Sequence, residues 1–262
     1  MNRKQMITLL LALMAPMAAA FGQYTSFRLH SHNDYRRVSP FYDAANAQFG
    51  SIEADIWMYE GKLLVAHDKE ELPTVKSLEE QYVKPFVEQY KKNGGRFYKG
   101  SDRYPQFLID LKTGYATTLQ PLINLLRNYP EVFDPATNPL AVRVVVSGAV
   151  PPAEDFVKYD AIVSFDGRIK TDYTAEQLIR IGLISDAFTN YLKWQGVEPL
   201  RQEDFTMLKS WVDKVHAYGK PVRFWATPDT PIAWDALMKL GVDYINTDKI
   251  TESATYVKQI NR

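Results

Sequence analysis

Two of the four histidines of the chain stand two positions apart, in the segment F-R-L-H-S-H-N-D-Y of residues 27–35. In an extended strand, His30 and His32 would point to the same face, because alternate side chains of a strand do so. Three interpretations of this pattern are open: a metal-binding pair, a catalytic acid or base with a neighbour, and no chemical role. The polar residues that the fold brings to the two imidazoles decide among them.

Two further pairs with the same spacing follow along the chain. Glu53 and Asp55 stand in S-I-E-A-D-I-W-M-Y, and Asp110 and Lys112 stand in Q-F-L-I-D-L-K. Carboxylates that are buried on one face repel one another unless a cation or hydrogen bonds compensate their charge. Glu53, Asp55 and Asp110 together form an all-oxygen donor set, which suits Mg²⁺ or Ca²⁺ rather than Zn²⁺.

A third imidazole, His67, stands in the segment G-K-L-L-V-A-H-D. After a predicted turn at Glu60 and Gly61, this segment returns His67 toward the end of the preceding strand. Two imidazoles on opposite sides of a phosphate can divide the roles of general base and general acid. A divalent cation together with Lys112 can hold the phosphate oxygens and stabilise developing negative charge.

Strand-like segments alternate with segments of helical periodicity along the chain. Helical spacing is clearest over 77–92 and 204–219. This alternation predicts a (β/α)8 barrel of the TIM type in the α/β class, with a doubly wound sheet as the structural alternative. The eight predicted strands cover 26–32, 51–59, 106–112, 142–148, 161–167, 182–188, 222–228 and 243–249.

The active sites of such barrels lie at the C-terminal ends of the strands, and the polar pairs described above fall at or near those ends. Two more acids, Asp166 and Asp248, close the fifth and the eighth predicted strands. They either cap those strands or touch a substrate. Trp225 lies in the seventh, where it either fills the barrel mouth or contacts a lipid or polyol group.

The first residues are predicted to be a secretory signal peptide. A cationic M-N-R-K precedes an apolar stretch that is too short to span a membrane, and small residues around Ala20 and Gly22 offer a cleavage site. We therefore expect a signal peptide over 1–22, one barrel domain over 23–262, and a mature protein that is periplasmic or secreted. The chain has no cysteine, which excludes disulfides and thiol chemistry.

Charge composition argues against a nucleic-acid partner. Loss of Arg3 and Lys4 with the leader leaves 29 basic and 31 acidic residues, a net charge of −2. Such a chain has no strong overall field to attract a polyanion. A small-molecule or lipid substrate is expected instead, with a transient membrane-surface contact if it is a lipid, and no obligate protein partner is indicated.

Four motifs resemble those of one superfamily, the glycerophosphodiester phosphodiesterases and phosphatidylinositol-specific phospholipases C. They are H-S-H-N-D-Y, S-I-E-A-D-I-W-M-Y-E-G-K-L-L-V-A-H-D, F-L-I-D-L-K, and V-R-F-W-A-T-P-D followed by L-G-V-D-Y-I-N-T-D-K. The resemblance extends from about residue 27 to 250 and is greatest to the branch that includes the fungal altered-inheritance-of-mitochondria protein 6. It implies a TIM-type barrel that cleaves a phosphodiester with one divalent cation.

The resemblance also implies roles for individual residues. Glu53 and Asp55 stand where the family has its Glu-x-Asp metal ligands. Asp110 and Lys112 stand where it has an acid followed two positions later by lysine. His67 stands at the second catalytic histidine.

The first catalytic histidine is implied less directly, because the His-Arg-Gly start of glycerophosphodiesterases is replaced here by His-Ser-His-Asn-Asp. His32 is the first choice for that position and His30 the second. The usual phosphate-binding arginine is missing with the motif, and Arg36 or Arg37 could substitute for it.

Two other classes of function remain as alternatives to a phosphodiesterase. Metal-dependent amidohydrolases and the polymerase-and-histidinol-phosphatase group also begin with His-x-His, but they need histidine ligands on later strands. After His67 only His216 remains, in a segment predicted to be helical. The other class is a non-catalytic barrel that binds a phosphorylated or lipid ligand, which would be expected to lack one essential group.

Overall fold

The strands form a closed barrel with one appended hairpin strand. In the computed structural model, which describes residues 24–261, eight strands pair in parallel in a ring, and one further strand, the third along the chain, pairs antiparallel with the second. The strands are β1 (Leu29–Ser31), β2 (Ser51–Tyr59), β3 (Lys62–Val65), β4 (Gln106–Leu111), β5 (Arg143–Gly148), β6 (Val163–Arg168), β7 (Ile181–Ala187), β8 (Val222–Trp225) and β9 (Tyr244–Thr247).

Helical segments connect most successive strands of the ring. A π-helical turn, Glu79–Val83, leads into the second helix, and a 3₁₀ segment, Ala153–Lys158, connects β5 and β6. The α-helices are α1 (Tyr42–Asn46), α2 (Lys84–Lys92), α3 (Tyr115–Arg127), α4 (Pro130–Phe133), α5 (Ala175–Arg180), α6 (Gln202–Ala217), α7 (Pro231–Leu240) and α8 (Ile250–Ile260).

The predicted (β/α)8 barrel is confirmed, and the doubly wound alternative is wrong. β1 pairs in parallel both with β2, at His30 and Ser51, and with β9, at His30 and Asn246. This double pairing closes the sheet, whereas a doubly wound sheet is open at both edges. The predicted signal peptide, 1–22, lies outside the described residues.

The first strand is shorter than predicted. A 3₁₀ turn, Ser26–Arg28, precedes β1, and His32 lies just beyond its end. The His32 backbone N–H donates to the Thr247 carbonyl at 3.1 Å, which continues the pairing with β9. The imidazole of His32 is therefore placed at the rim of the barrel.

The β2–β3 hairpin carries His67 back to the level of Asp55. Glu60 and Gly61, with φ of 48° and 76°, form the two-residue turn that the sequence predicts. Two consecutive left-handed residues match the right-handed twist of hairpin strands. Beyond β3, the Ala66 backbone N–H donates to the Asp55 carbonyl at 3.2 Å.

The apolar core has three parts. The largest lies between the barrel and the surrounding helices, and a small one consists of Leu64, Ala66 and Leu72. The third lies inside the barrel and consists of Leu108, Val145 and Leu183 with Tyr244 packed against them. Glu53 pairs in register with Leu108, so both side chains point inward and the polar groups lie above an apolar floor. No helix within residues 24–261 is long and apolar enough to cross a membrane.

Candidate active site

A cavity of about 320 Å³ lies at the C-terminal ends of the barrel strands. Three larger surface clefts, of about 540, 680 and 340 Å³, are lined by described residues that include no histidine. The cavity of about 320 Å³ is the candidate site, because its lining combines imidazole, carboxylate and cationic groups. Its lining residues are His32, Glu53, His67, Asp110, Lys112, Ser147, Gly148, Arg168, Arg223 and Trp225.

His32 enters the cavity from the end of β1 and is held by a carboxylate. Its Nδ1 lies 3.0 Å from Oδ1 of Asp248, which follows β9. Burial alone would raise the pKa of the Asp248 carboxyl, but the adjacent imidazole outweighs burial and lowers it. An ionised Asp248 therefore orients the ring and can stabilise its protonated form.

The imidazole of His67 is also held by an aspartate. Its Nδ1 lies 3.1 Å from Oδ2 of Asp55, near the middle of β2. The Tyr35 hydroxyl also donates to this carboxylate oxygen, at 2.8 Å. The two imidazoles of the cavity thus share one arrangement, with Nδ1 beside an aspartate and Nε2 without a hydrogen bond to any described residue.

His30 has a different environment from His32, two positions later. It is fully buried, with Nδ1 2.7 Å from the Ser51 hydroxyl and Nε2 2.6 Å from Oε2 of Glu53. Gln106 donates to the same hydroxyl, so the Ser51 hydrogen is available to Nδ1 of His30 and the imidazole donates from Nε2. Burial and then the charge of Arg223 lower the pKa of His30 to about 3, which keeps the ring neutral.

Glu53 is held by a buried ion pair. Arg223 Nη2 lies 2.7 Å from Oε2 of Glu53, and the same guanidinium donates to Oδ1 of Asn246. Burial by itself raises the pKa of Glu53, but Arg223 and the hydrogen bond from His30 hold it well below its usual range. Glu53 is therefore ionised and fixed in place.

Lys112 lies between the other two predicted metal ligands. Its Nζ is 2.9 Å from Oδ2 of Asp55 and 2.7 Å from Oδ2 of Asp110, which face each other across β2 and β4. Burial would lower the pKa of Lys112, but these two carboxylates outweigh burial and raise it. Burial and the charge of Glu53 raise the pKa of Asp55, and the opposite effect of Lys112 is not large enough to cancel this rise.

The three carboxylates fit a divalent cation in donor type and in charge. Each uses one oxygen for its contacts with Arg223, His30, Tyr35, His67 or Lys112, and the second oxygen of each accepts no hydrogen bond from a described residue. Burial, and then the charge of Glu53, raise the pKa of Asp55, and a cation bound beside it would oppose this shift. Within the described residues, however, no three His, Asp or Glu side chains are arranged as a closed metal-binding group.

A third cationic group, after Arg223 and Lys112, faces the cavity from β6. Arg168 Nη1 donates to Oδ2 of Asp166 at 2.9 Å, and that oxygen also accepts hydrogen bonds from Ser147 and Ser185. Burial raises the pKa of Asp166, and Arg168 opposes this shift. The guanidinium is thus anchored through Nη1 by a buried polar cluster.

Gly148 leaves the space that the Asp110 carboxylate occupies. A Cβ at this position would lie 2.7 Å from Oδ1 of Asp110 and 2.5 Å from the Leu111 carbonyl oxygen, and the backbone φ is +77°. Both the crowding and the left-handed backbone exclude other residues. The glycine that ends β5 is therefore part of the site.

Of the predicted substrate contacts, Lys112 and Trp225 line the cavity and Arg36 does not. Trp225 is 40% exposed at the end of β8. The Arg36 guanidinium instead lies 3.5 Å from Asp68 and 3.7 Å from Glu71, beside the cleft of about 680 Å³. Arg37 lies 3.8 Å from Asp248, behind the cavity lining.

Six residues of the site escaped the sequence analysis: Ser147, Gly148, Asn33, Tyr35, Arg168 and Arg223. The last four carried a signal. Arg168 follows Asp166 at the spacing of two that marks the other polar pairs, and Arg223 is a charged residue inside an apolar strand. Asn33 and Tyr35 lie in the H-S-H-N-D-Y motif itself, where only the histidines were considered.

Comparison with known families gives two matches. Residues 20–151 match the AIM6-like phosphodiesterase domain, and residues 221–251 match the glycerophosphoryl diester phosphodiesterase family. Altered inheritance of mitochondria protein 6 of Kluyveromyces lactis is 26% identical over 301 aligned positions, covering 87% of this chain and 71% of the relative. Its homolog from Arthroderma benhamiae is 26% identical over 266 positions, covering 87% and 83%.

Solved structures resemble the barrel throughout. A glycerophosphodiester phosphodiesterase from Parabacteroides distasonis superposes with a TM-score of 0.57 at 11% identity, covering 90% of this chain and 96% of that one. A glycerophosphodiester phosphodiesterase from Agrobacterium tumefaciens gives 0.53 at 14% identity, covering 89% and 96%. At such low identity the likeness establishes the fold, and the chemistry must be argued from the cavity.

Proposed function

Because the chain belongs to the family of AIM6-like phosphodiesterase domains, we propose that it is a phosphoric diester hydrolase with His32 and His67 as its acid–base pair. One observation carries this proposal. Two imidazoles, each held at Nδ1 by an aspartate, face the same cavity as Lys112, Arg168 and Arg223. This arrangement suits an anionic substrate on which protons are both removed and delivered.

In the proposed reaction, Nε2 of one histidine takes the proton from the attacking water or hydroxyl. Nε2 of the other donates a proton to the leaving oxygen of the phosphodiester. Asp248 and Asp55 stabilise the imidazolium form of the ring that each contacts. Each acid–base group of this kind typically raises the reaction rate by about 10²–10⁴-fold.

The positive side chains hold the phosphate between the two imidazoles. Lys112, whose pKa is raised by Asp55 and Asp110, is cationic throughout the working range of pH. Arg223 and Arg168 add fixed positive charge to the cavity lining. Preorganised cations of this kind stabilise charge that develops on nonbridging oxygens.

We further propose that one divalent cation, Mg²⁺ or Ca²⁺, binds to Glu53, Asp55 and Asp110. The oxygen donor set and the raised pKa of Asp55 support this assignment. When bound, the cation would supply positive charge close to the phosphate oxygens. His30 would then act by fixing Glu53 through its hydrogen bond, as a positioning residue.

The proposed substrate is a small-molecule or lipid phosphodiester, with a polyol or lipid head group as the alcohol. Trp225 supports this choice, because an exposed indole beside a cationic cavity offers an apolar surface to the alcohol portion. We also propose export to the periplasm or the medium, on the basis of the leader-like residues 1–22. A lipid substrate would bring the barrel mouth into transient contact with a membrane surface.

An amidohydrolase-like activity is less well supported. His216, the remaining histidine, lies in α6 with Nε2 2.8 Å from Asp243 and does not line the cavity. A non-catalytic binding barrel is opposed by the presence of both Asp–His pairs.

Hydrolysis of bis-p-nitrophenyl phosphate tests the proposal directly. We expect turnover by the wild type, a loss of activity on chelation, and strong loss in His32→Ala and His67→Ala but not in His216→Ala. A panel of glycerophosphodiesters, phosphoinositides and sphingophospholipids then identifies the alcohol. Absence of hydrolysis across this panel, with Mg²⁺ or Ca²⁺ present, would contradict the proposed function.

A further inference from the structure

Behind the cavity, the two Asp–His pairs are connected to each other. Asn33 Oδ1 lies 2.9 Å from the Tyr35 hydroxyl oxygen, and Asn33 Nδ2 lies 2.9 Å from Nδ1 of His32 and 3.4 Å from Oδ1 of Asp248. The Asn33 amide can donate to His32 when Nδ1 carries no hydrogen, and to Asp248 when Nδ1 itself donates to that carboxylate. The Tyr35 hydroxyl lies 2.8 Å from Oδ2 of Asp55 and 3.1 Å from Nδ1 of His67. A continuous series of contacts therefore leads from one imidazole to the other.

The backbone of Asn33 is what permits this connection. With φ of 49° and ψ of 36°, Asn33 adopts the left-handed conformation, which asparagine tolerates better than most residues. The following Asp34 anchors the loop, since its buried carboxylate accepts from Ser31, Tyr82 and the Phe41 N–H. The loop is thus built to hold Asn33 and Tyr35 in place.

We propose that Asn33 and Tyr35 are positioning residues that join the His32–Asp248 and His67–Asp55 pairs into one hydrogen-bonded chain, so that the two imidazoles are oriented together. This inference deepens the proposed function and rests on it. Neither residue lines the cavity, and neither is assigned contact with substrate.

Counting hydrogens shows why the chain couples its two ends. A tyrosine hydroxyl has one hydrogen, but three possible acceptors lie within 3.1 Å of Tyr35. The hydroxyl can donate to only one of them at a time. Where it donates depends on whether Nδ1 of His67 already supplies a hydrogen to Asp55. The choice at Tyr35 then affects the amide of Asn33 and, through that amide, the ring of His32.

Each hydrogen-bond contact of this series is partly shielded from water. The Tyr35 hydroxyl keeps a hydrogen-bond partner whichever of its three polar neighbours it donates to.

The first test is ¹⁵N NMR of histidine-labelled protein, at constant pH in chelator-treated buffer. Tyr35→Phe removes only the hydroxyl, and no hydrogen bond joins Tyr35 to His32 directly. We expect the ring-nitrogen shifts of both His67 and His32 to change, while those of His30 and His216 stay constant and report an intact fold. Unchanged shifts of His32 would overturn the proposal.

A substitution at Asn33 tests the hydrogen-bonded series from its His32 end. Asn33→Gly keeps the left-handed backbone and removes the amide, so the ring-nitrogen shifts of His67 should change through Tyr35. Gln48→Gly is a matched control, because Gln48 has φ of 61° and lies outside the cavity lining. Tyr129→Phe is the control for loss of a tyrosine–carboxylate hydrogen bond, since Tyr129 donates to Glu79. Neither control should alter His32 or His67.

Kinetics with bis-p-nitrophenyl phosphate provide the second test. Tyr35→Phe and Asn33→Gly should each lower kcat roughly tenfold or more with little change in KM, because orientation rather than binding is lost. The double variant should resemble the more impaired single variant, because both changes interrupt the same chain. Effects that multiply would show that the two residues act separately, which contradicts the proposal. If the wild type hydrolyses no phosphodiester, the proposed function fails. The NMR shifts still decide whether hydrogen bonds connect His32 and His67 through Asn33 and Tyr35.

Discussion

His32 Nδ1 lies 3.0 Å from Oδ1 of Asp248, although 216 positions separate the two residues along the chain. They meet because β1 and β9, the first and last strands, are neighbours in the closed barrel. In an open sheet the two ends of the chain would not supply one Asp–His pair in this way. Closure of the barrel thus assembles half of the proposed acid–base machinery, and His67 with Asp55 supplies the other half.

Removal of either cavity imidazole should abolish most of the turnover. His32→Ala and His67→Ala should each lower kcat by at least about 10²-fold, because each removes one acid–base group. The double variant should lose much less than the product of the single losses, since the two groups act as a unit. His30→Ala should cost less than either. Full activity of His67→Ala on every phosphodiester that the wild type cleaves would refute the mechanism.

Metal binding can be measured without turnover. Calorimetry of the chelator-treated protein should detect about one Mg²⁺ or Ca²⁺ site, with affinity strongly weakened in Asp55→Ala because three carboxylates are proposed to share one cation. Glu131→Ala, at an exposed acid in α4, is a control that should leave binding unchanged. Equal affinity in the Glu53→Ala/Asp55→Ala double variant would eliminate the proposed site.

His30 should make the metal-free protein sensitive to mild acid. Its pKa is about 3 in the folded chain, against an ordinary value of about 6.5 in the unfolded chain. Between these values the unfolded state binds a proton that the folded state does not, so stability present above pH 6.5 is lost as pH falls. The slope for one proton is about 1.4 kcal/mol per pH unit, or about 2 kcal/mol by pH 5.

The His30→Gln variant isolates this effect, because glutamine can still donate to Glu53 and does not titrate. Urea unfolding of both proteins at pH 7 and pH 5, with chelator present, measures the difference. We expect the wild type to lose more stability than His30→Gln over this range. Parallel losses in the two proteins would show that His30 is not the group responsible.

Gly148→Ala should impair both stability and catalysis. A new Cβ would meet the Leu111 carbonyl and the Asp110 carboxylate, and φ of +77° adds backbone strain of about 1–2 kcal/mol. Gly219→Ala is the matched control, since Gly219 has φ of +67° and open space where an alanine Cβ would lie. Urea unfolding should show a larger loss for Gly148→Ala, and only this variant should lower kcat.

Export is tested on the native protein. If 1–22 is a signal peptide, N-terminal sequencing should find the mature chain beginning near residue 21 or 23. Fractionation should place it in the periplasm or the medium. Recovery of a chain that begins with Met1 would disprove cleavage.

The sequence by itself determined the barrel and most of the candidate site. Alternation of strand and helix patterns is a local property, and a period of two places polar pairs such as Glu53 and Asp55 on one face of a strand. The Glu60–Gly61 turn could also be predicted from the sequence, because its conformation depends on adjacent residues alone. These features need no knowledge of which strands become neighbours.

The tertiary structure decided which groups act on one another. His30 and His32 look alike in the sequence, but one is buried against Glu53 and Arg223 and the other lies at the rim beside Asp248. Lys112 was expected only as a phosphate-binding group, but its ammonium group contacts both Asp55 and Asp110. Burial, ion pairing and hydrogen-bond direction depend on distances in space between residues far apart in the chain, and only the closed barrel fixes those distances.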